Sequence, residues 1–232
     1  TSLVNAARTY KIKQVQKESL AKEERANTIK LYNTLLNSLS HELRTPIATI
    51  VGATDNLQNF NGKLSDSNRY ELIREISKAS FRLNQQVENL LNMSRLESGF
   101  IQPRKDWCDV TELIYETAAR VEENAEGKKI NIQVDPAIPL FKLDKGMMEQ
   151  VIYNLLYNAC AYTPVHAAIS ITARCYADVL EIVVEDNGPG FPEDEIKNVF
   201  DKFYRLRNAK AGGTGLGLSI VKGFTEAQNG VI

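Results

Sequence analysis

His41 is followed at once by Glu42 and four residues later by Thr45, and Pro46 closes the group. An imidazole is a nucleophile near neutral pH, and an adjacent carboxylate can accept the proton it gives up. Such a set suits acceptance of an electrophilic group if the imidazole faces solvent. Leu36, Leu39, Leu43, Ile47, Ile50 and Leu57 recur at three- and four-residue spacing, which at about 100° per residue lines one stripe of a helix. His41 then falls on the opposite, exposed side, Thr45 is its neighbour there, and Glu42 lies on the flank. Pro46 removes the donor that would bond the Glu42 carbonyl, so a kink is expected beside the histidine. Taken singly, His41 reads equally well as an ordinary surface histidine. Beyond Thr45 the exposed face continues through Ala48, Gly52 and Asp55. Glycine costs a solvated helix about 1 kcal/mol relative to alanine, so this small-residue strip reads as a place where another helix approaches closely.

A second set of residues suits a nucleotide. Asn154 and Asn158 stand one turn apart in a segment of helical periodicity, although asparagine is a poor helix former. A polar surface stripe explains them; so does an oxygen ligand for a hard cation such as Mg²⁺. Asp186-Asn187-Gly188-Pro189-Gly190 ends an alternating strand, and Gly213-Thr214-Gly215-Leu216-Gly217-Leu218 opens a helix whose free N–H groups can bind phosphate. Neither run has the lysine and hydroxyl residue of a Walker loop or the strand-to-helix setting of a dinucleotide fingerprint.

The elements that must hold these residues follow from periodicity and capping. The first helix is expected to end near Leu57, before Asn59-Phe60-Asn61-Gly62, and Ser65-Asp66 can cap a second helix that stops at Gly99. That helix carries Leu72, Ile76, Ala79, Leu83, Val87, Leu90 and Ser94 on one stripe. A single hairpin cannot cover two such stripes, so two chains are expected to form a four-helix bundle. From residue 102 the pattern changes. It predicts strands at 105–110, 129–134, 140–143, 168–175 and 179–185, and helices at 111–124, 145–162 and about 216–227, with Asp144 as an N-cap. The expected fold is thus a helical hairpin forming a dimeric bundle, then an α+β two-layer sandwich, a mixed sheet with helices on one face. Domain limits are expected at 1–34 (a charged helix or parallel coiled coil), 35–101 and 102–232.

Composition narrows the classes. The 232 residues carry 28 basic and 29 acidic side chains, a net charge of −1, which gives no strong pull toward nucleic acid. Cys108, Cys160 and Cys175 match no metal or redox spacing and read as small core residues of a reduced, cytoplasmic protein. No apolar run approaches a membrane span, so a membrane receptor as parent would contribute this stretch as its intracellular part.

Ser38-Leu39-Ser40-His41-Glu42-Leu43-Arg44-Thr45-Pro46 closely resembles the phosphoacceptor box of sensor histidine kinases. Asn154 to Asn158, Asp186 to Gly190, Phe200-Asp201-Lys202-Phe203-Tyr204-Arg205 and Gly213 to Leu218 resemble, in order, the N, first glycine, F and second glycine boxes of the ATP domain of that family. Within the family the likeness is to potassium-responsive sensor kinases. The resemblance implies that His41 accepts the γ-phosphoryl group of ATP, Glu42 acts as general base and Thr45 orients water in a phosphatase reaction. It further implies that Asp186 binds the adenine amino group, Tyr162 lies beside the base, Asn158 holds Mg²⁺, and Asn154 and Arg205 act near the phosphates. Gly188, Gly190, Gly213, Gly215 and Gly217 would let the backbone approach ATP, with Thr214, Leu216 and Leu218 in the same loop. Pro192 to Gly212 would form a mobile lid, whose Lys202, Arg205, Arg207 and Lys210 suit a polyphosphate, with Tyr204 among the nucleotide-binding residues. The implied partners are a second copy of the chain and the receiver domain of a response regulator.

Two departures stand out. Ala161 occupies a position where many relatives have lysine, and the chain reaches Val231-Ile232 where relatives continue with roughly one more β-hairpin. These leave a catalytically weak dimeric scaffold as one alternative, and an ATPase of the gyrase and chaperone type as another.

Overall fold

The computed structural model describes residues 40–60, 64–99, 101–125, 127–207 and 213–232. The expected coiled coil at 1–34, Leu36 and Leu39 of the first stripe, residues 61–63 of the first turn, and lid residues 208–212 with Lys210 lie outside the described residues. The chain divides into two compact units, Thr1–Thr45 and Pro46–Ile232. Residues 40–59 are helical (α1). In the first unit His41 and Thr45 are exposed and Glu42 is half-buried, as the wheel expects.

In the second unit, α2 (Asp66–Glu97) starts at Ser65, whose side chain accepts the Asn68 N–H at 3.2 Å. It ends before Gly99, which has φ +68, a conformation that glycine adopts without strain. Leu72, Ile76, Ala79 and Leu83 turn inward, whereas Val87 and Leu90 on the same stripe are 42% and 40% exposed.

The α/β layer follows as β1 (Asp106–Cys108), α3 (Val110–Asn124), β2 (Ile130–Val134), β3 (Phe141–Leu143), α4 (Lys145–Tyr162), β4 (Ile169–Tyr176), β5 (Val179–Asp186) and α5 (Gly217–Ala227). β2, β4 and β5 form the mixed sheet: β2 runs parallel to β4, and β5 antiparallel to it. The strand expected at 105–110 is shorter in the structure, Asp106–Cys108. Asp109 is taken as the N-cap of α3, accepting the Glu112 N–H at 3.0 Å, so the helix begins at Val110. What remains of that strand pairs with β3 as a separate antiparallel ladder rather than joining the sheet.

Register fixes which residues meet the helices. Ile171 pairs with Ile132 on one side and Val184 on the other, and Ile169 pairs with Ile130 and Asp186. The buried face formed by Ile169, Ile171 and Ala173 packs under Leu113, Ile114, Ile152 and Leu156 of α3 and α4. Each leucine or isoleucine of this set contributes about 1.5–3 kcal/mol by leaving water. Ala177 and Asp178, both at positive φ, make the two-residue turn between β4 and β5. A second core joins α2, α4 and α5 through Met93, Val151, Leu216, Ile220, Val221 and Phe224. Asp144 fastens three segment ends together: its carboxylate accepts the N–H groups of Met147 and Arg104, and its own N–H donates to Gln228 Oε1 at 2.6 Å.

Candidate functional site

The phosphoacceptor candidates occupy one short stretch of α1. Thr45 donates its hydroxyl to the His41 carbonyl at 3.3 Å, a local bond that holds the side chain along the helix. Ala48 and Asp55 are exposed, and Gly52 is half-buried with no atom within 4 Å of where its Cβ would stand. The small-residue strip is therefore open to approach.

The nucleotide candidates converge on the meeting of α4 with the start of α5. Asn154 is 3% exposed, and its Nδ2 has no hydrogen-bond partner among the described residues. Such a buried donor costs about 1–3 kcal/mol unless something outside the protein accepts from it. A Cβ on Gly217 would stand 3.7 Å from Asn154 Oδ1 and 3.7 Å from Asn158 Nδ2. Two amides thus border the opening of a helix whose first N–H groups are not used within the helix. That donor set fits a phosphate chain, and the Asn158 amide oxygen fits Mg²⁺ arriving with it. Leu216, by contrast, is buried in the second core and anchors the loop, leaving Leu218 half-buried beside it.

The other glycine run is held with little slack. Gly188 donates its N–H to Asp186 Oδ1 at 2.8 Å, and a Cβ on Gly188 would come within 2.7 Å of both Asp186 Oδ1 and Thr163 Cγ2. Gly190 has φ +67. Asp186 is exposed at the end of β5, and Asn187 ties that end back to β4 by accepting the Ala168 N–H at 2.8 Å. Tyr162, at the end of α4, has its hydroxyl 3.3 Å from the Cβ position of Gly213. α4 therefore links the two glycine runs.

The F-box residues enter less uniformly. Lys202 points toward α2 and pairs with Glu97 at 3.4 Å. Tyr204 donates its hydroxyl to Glu195 at 2.6 Å, and that hydrogen bond holds the phenol above its ordinary pKa. Arg205 is half-buried, and Arg207 reaches Asp194 at 3.8 Å. Ala161 is exposed. Thr214 and Gly215 are half-buried, and Gly215 takes φ +69.

Sequence reasoning missed three residues here. Glu195, 5% exposed, closes the base of the lid segment by accepting from both Tyr204 and the Arg207 N–H. Thr163 packs against Gly188, and Lys128 is buried beneath Thr163. Each reads in isolation as an ordinary polar residue.

Two family models match the chain. The His Kinase A (phospho-acceptor) domain covers residues 32–99, and the histidine kinase-, DNA gyrase B- and HSP90-like ATPase covers residues 143–232. The sensor protein KdpD of Clostridium acetobutylicum is 34% identical over 230 residues, 94% of this chain and 25% of that protein. The chain therefore spans about a quarter of the length of that curated relative. Among solved structures, full-length ShkA in complex with AMPPNP aligns with a TM-score of 0.56 and 27% identity, over 84% of this chain and 41% of that one. A complex of the histidine kinase ThkA with the response regulator protein TrrA gives 0.57 at 22% identity, over 89% of this chain and 58% of that one, a likeness of fold.

Proposed function

The chain belongs to the histidine kinases, and from that premise we propose that it is the kinase core of a sensor, moving the γ-phosphoryl group of ATP to His41 and then to an aspartate of a response-regulator receiver domain. The observation that carries the nucleotide half is the buried Asn154 Nδ2, without a partner among the described residues, beside Gly217 and Asn158. Asn154 and the start of α5 would hold the phosphates, Asp186 would accept from the adenine amino group, and Tyr162 would lie beside the base. Mg²⁺ held by Asn158 would neutralise charge on the phosphates.

The chemistry asks for positioning more than for covalent work by the protein. A ring nitrogen of His41 attacks the γ-phosphorus, the bond to the β–γ bridging oxygen breaks, and ADP leaves. Glu42 accepts the imidazole proton, and Arg205 stabilises charge on the transferred group. Thr45 would orient water when the kinase runs as a phosphatase, a hydrolysis in which water takes the phosphoryl group. Residues 35–101 serve as the phosphoacceptor and dimerisation part and 102–232 as the ATP-binding part, with 1–34 carrying the signal. Val87 and Leu90, left exposed in one chain, are suited to the facing helices of a second copy. The strip Ala48, Gly52 and Asp55 suits the receiver domain, and Ala48→Arg should then block transfer while leaving His41 labelling near normal; normal transfer would place docking elsewhere. Among the described residues no helix is long and apolar enough to cross a membrane. The parent protein we infer is a membrane-anchored sensor, with this part in the cytoplasm.

Incubation with γ-labelled ATP tests the reading. Acid-labile label that disappears in His41→Gln is expected. Free phosphate without label on the protein indicates an ATPase instead, and neither product indicates a scaffold.

A further inference from the structure

Lys128 has an unusual position for a lysine that follows a turn and precedes another lysine. It is 8% exposed, whereas the Lys129 ammonium reaches Glu122 on the surface. The Lys128 ammonium donates to the carbonyls of Cys160 and Thr163 and to Thr163 Oγ1 at 3.1 Å, all neutral acceptors at the end of α4. Carbonyls at a helix C-terminus lack partners within the helix, and a cation there also meets the negative end of the helix dipole. Those effects account for a lysine that caps α4. They do not by themselves account for what Thr163 does next.

Thr163 is held from both sides. Its hydroxyl donates to the Ala159 carbonyl at 2.6 Å while Oγ1 accepts from Lys128, so the side chain has one rotamer that satisfies both bonds. In that rotamer Cγ2 faces Gly188, with no room between them for even a methyl group. Gly188 in turn donates its N–H to Asp186 Oδ1. One oxygen of Asp186 is thereby fixed within the protein, and the second is left as an acceptor. A rigid path thus runs from a buried ammonium to an exposed carboxylate through two residues.

We infer that Lys128 is a positioning residue for base recognition: by fixing Thr163 against Gly188 it sets where the Asp186 carboxylate meets the nucleotide base, and so contributes to the preference for adenine over guanine. This rests on the reading that Asp186 accepts from the adenine amino group. A carboxylate discriminates against guanine because the guanine edge presents a carbonyl oxygen where adenine presents its amino group. Leaving an acceptor unmatched at a fixed site is a strong source of selectivity. A carboxylate that can shift can avoid the mismatch, so selectivity is the quantity Lys128 governs.

The test is equilibrium binding of ATP and of GTP to the full chain by calorimetry, comparing the unaltered protein with Lys128→Met, Thr163→Ser and Asp186→Asn. Thr163→Ser keeps every hydrogen bond of the ammonium and removes only the methyl facing Gly188, so it tests the contact through which Lys128 acts even if Lys128→Met does not fold: an unchanged ratio there overturns the inference. The ratio of ATP to GTP affinity is expected to fall about tenfold in Lys128→Met, roughly the worth of one well-placed hydrogen bond, and several-fold in Thr163→Ser. A residue that only capped α4 would lower both affinities together and leave the ratio alone. If Asp186→Asn collapses the ratio while the folded Lys128 and Thr163 variants keep it, the inference is overturned and the Asp186 reading stands. If Asp186→Asn itself leaves the ratio intact, the reading of Asp186 fails and the inference falls with it.

Discussion

Phe203 and Gly215 are joined backbone to backbone. The Phe203 amide donates to the Gly215 carbonyl at 3.0 Å, and a Cβ on Gly215 would stand 2.7 Å from the Phe203 carbonyl carbon. Both residues have positive φ, +65 for Phe203 and +69 for Gly215. Gly215 thus pairs with a residue well inside the 192–212 segment, and it does so just before the helix start that borders Asn154 and Asn158.

Two alanine substitutions in this loop should act differently. Gly215→Ala forces a left-handed residue, a cost of about 1–2 kcal/mol, against backbone atoms that have no side-chain freedom to move aside. Loss of ATP affinity by about tenfold or more, with a lower Tm, is expected. Gly217→Ala meets only ordinary contacts and gains helix propensity, so Tm should hold while the methyl occupies space next to the two amides. Unchanged ATP affinity in folded Gly217→Ala would remove the start of α5 from the nucleotide site.

Ala161 is exposed in the last turn of α4, so a lysine there needs no burial. Ala161→Lys should tighten ATP binding or speed labelling of His41 by about two- to fivefold, the usual range for a surface charge pair. The gain should shrink at high salt. If there is no gain at low salt, a lid cation already supplies the charge.

Leu90→Glu places a charge on the part of α2 that one chain leaves uncovered. Light scattering should show a shift from dimer to monomer at micromolar concentration, with ATP affinity close to that of the unaltered chain. A dimer that survives the change would place the bundle contact on another face.

Glu122 gives the fold a dependence on acid. Burial pushes its carboxyl up, but the Ile130 N–H at 2.7 Å and the Lys129 ammonium at 2.8 Å outweigh this and hold it below its ordinary value of 4.5. A carboxyl depressed in the folded state adds stability above the unfolded value, and that stability is lost as pH falls through the folded one. The Tm difference between the unaltered chain and Glu122→Gln should therefore be largest near neutral pH and shrink below about pH 4. A difference that does not vary with pH would mean that only the shape of the side chain matters.

Much of the architecture was legible because local chemistry and periodicity agreed. Asp144 followed by an apolar arc marks α4, and the helix runs from Lys145 to Tyr162 as expected. Alternation in Val179–Asp186 and the polar residues before it mark the last hairpin. Asp109 misled because an acidic residue between Cys108 and Val110 serves equally in a strand or as a cap, and the cap won. Lys128 was not legible at all. Its burial is decided by the end of a helix more than thirty residues away in sequence, and no spacing rule connects a lysine to a distant carbonyl. The inward turn of Tyr204 onto Glu195 was hidden for the same reason, since sequence gives a residue type but not the partner that folding brings to it.

The joint at Asp144 also has a kinetic consequence. One side chain protects the amides of Arg104 and Met147 while its own amide is protected by Gln228, so displacing Asp144 uncovers all three amides at once. In hydrogen exchange these amides are expected to share an opening event, the displacement of Asp144, although they sit before β1 and at the start of α4. The start and end of the α/β layer therefore share one fastening, and a change at Asp144 should loosen both.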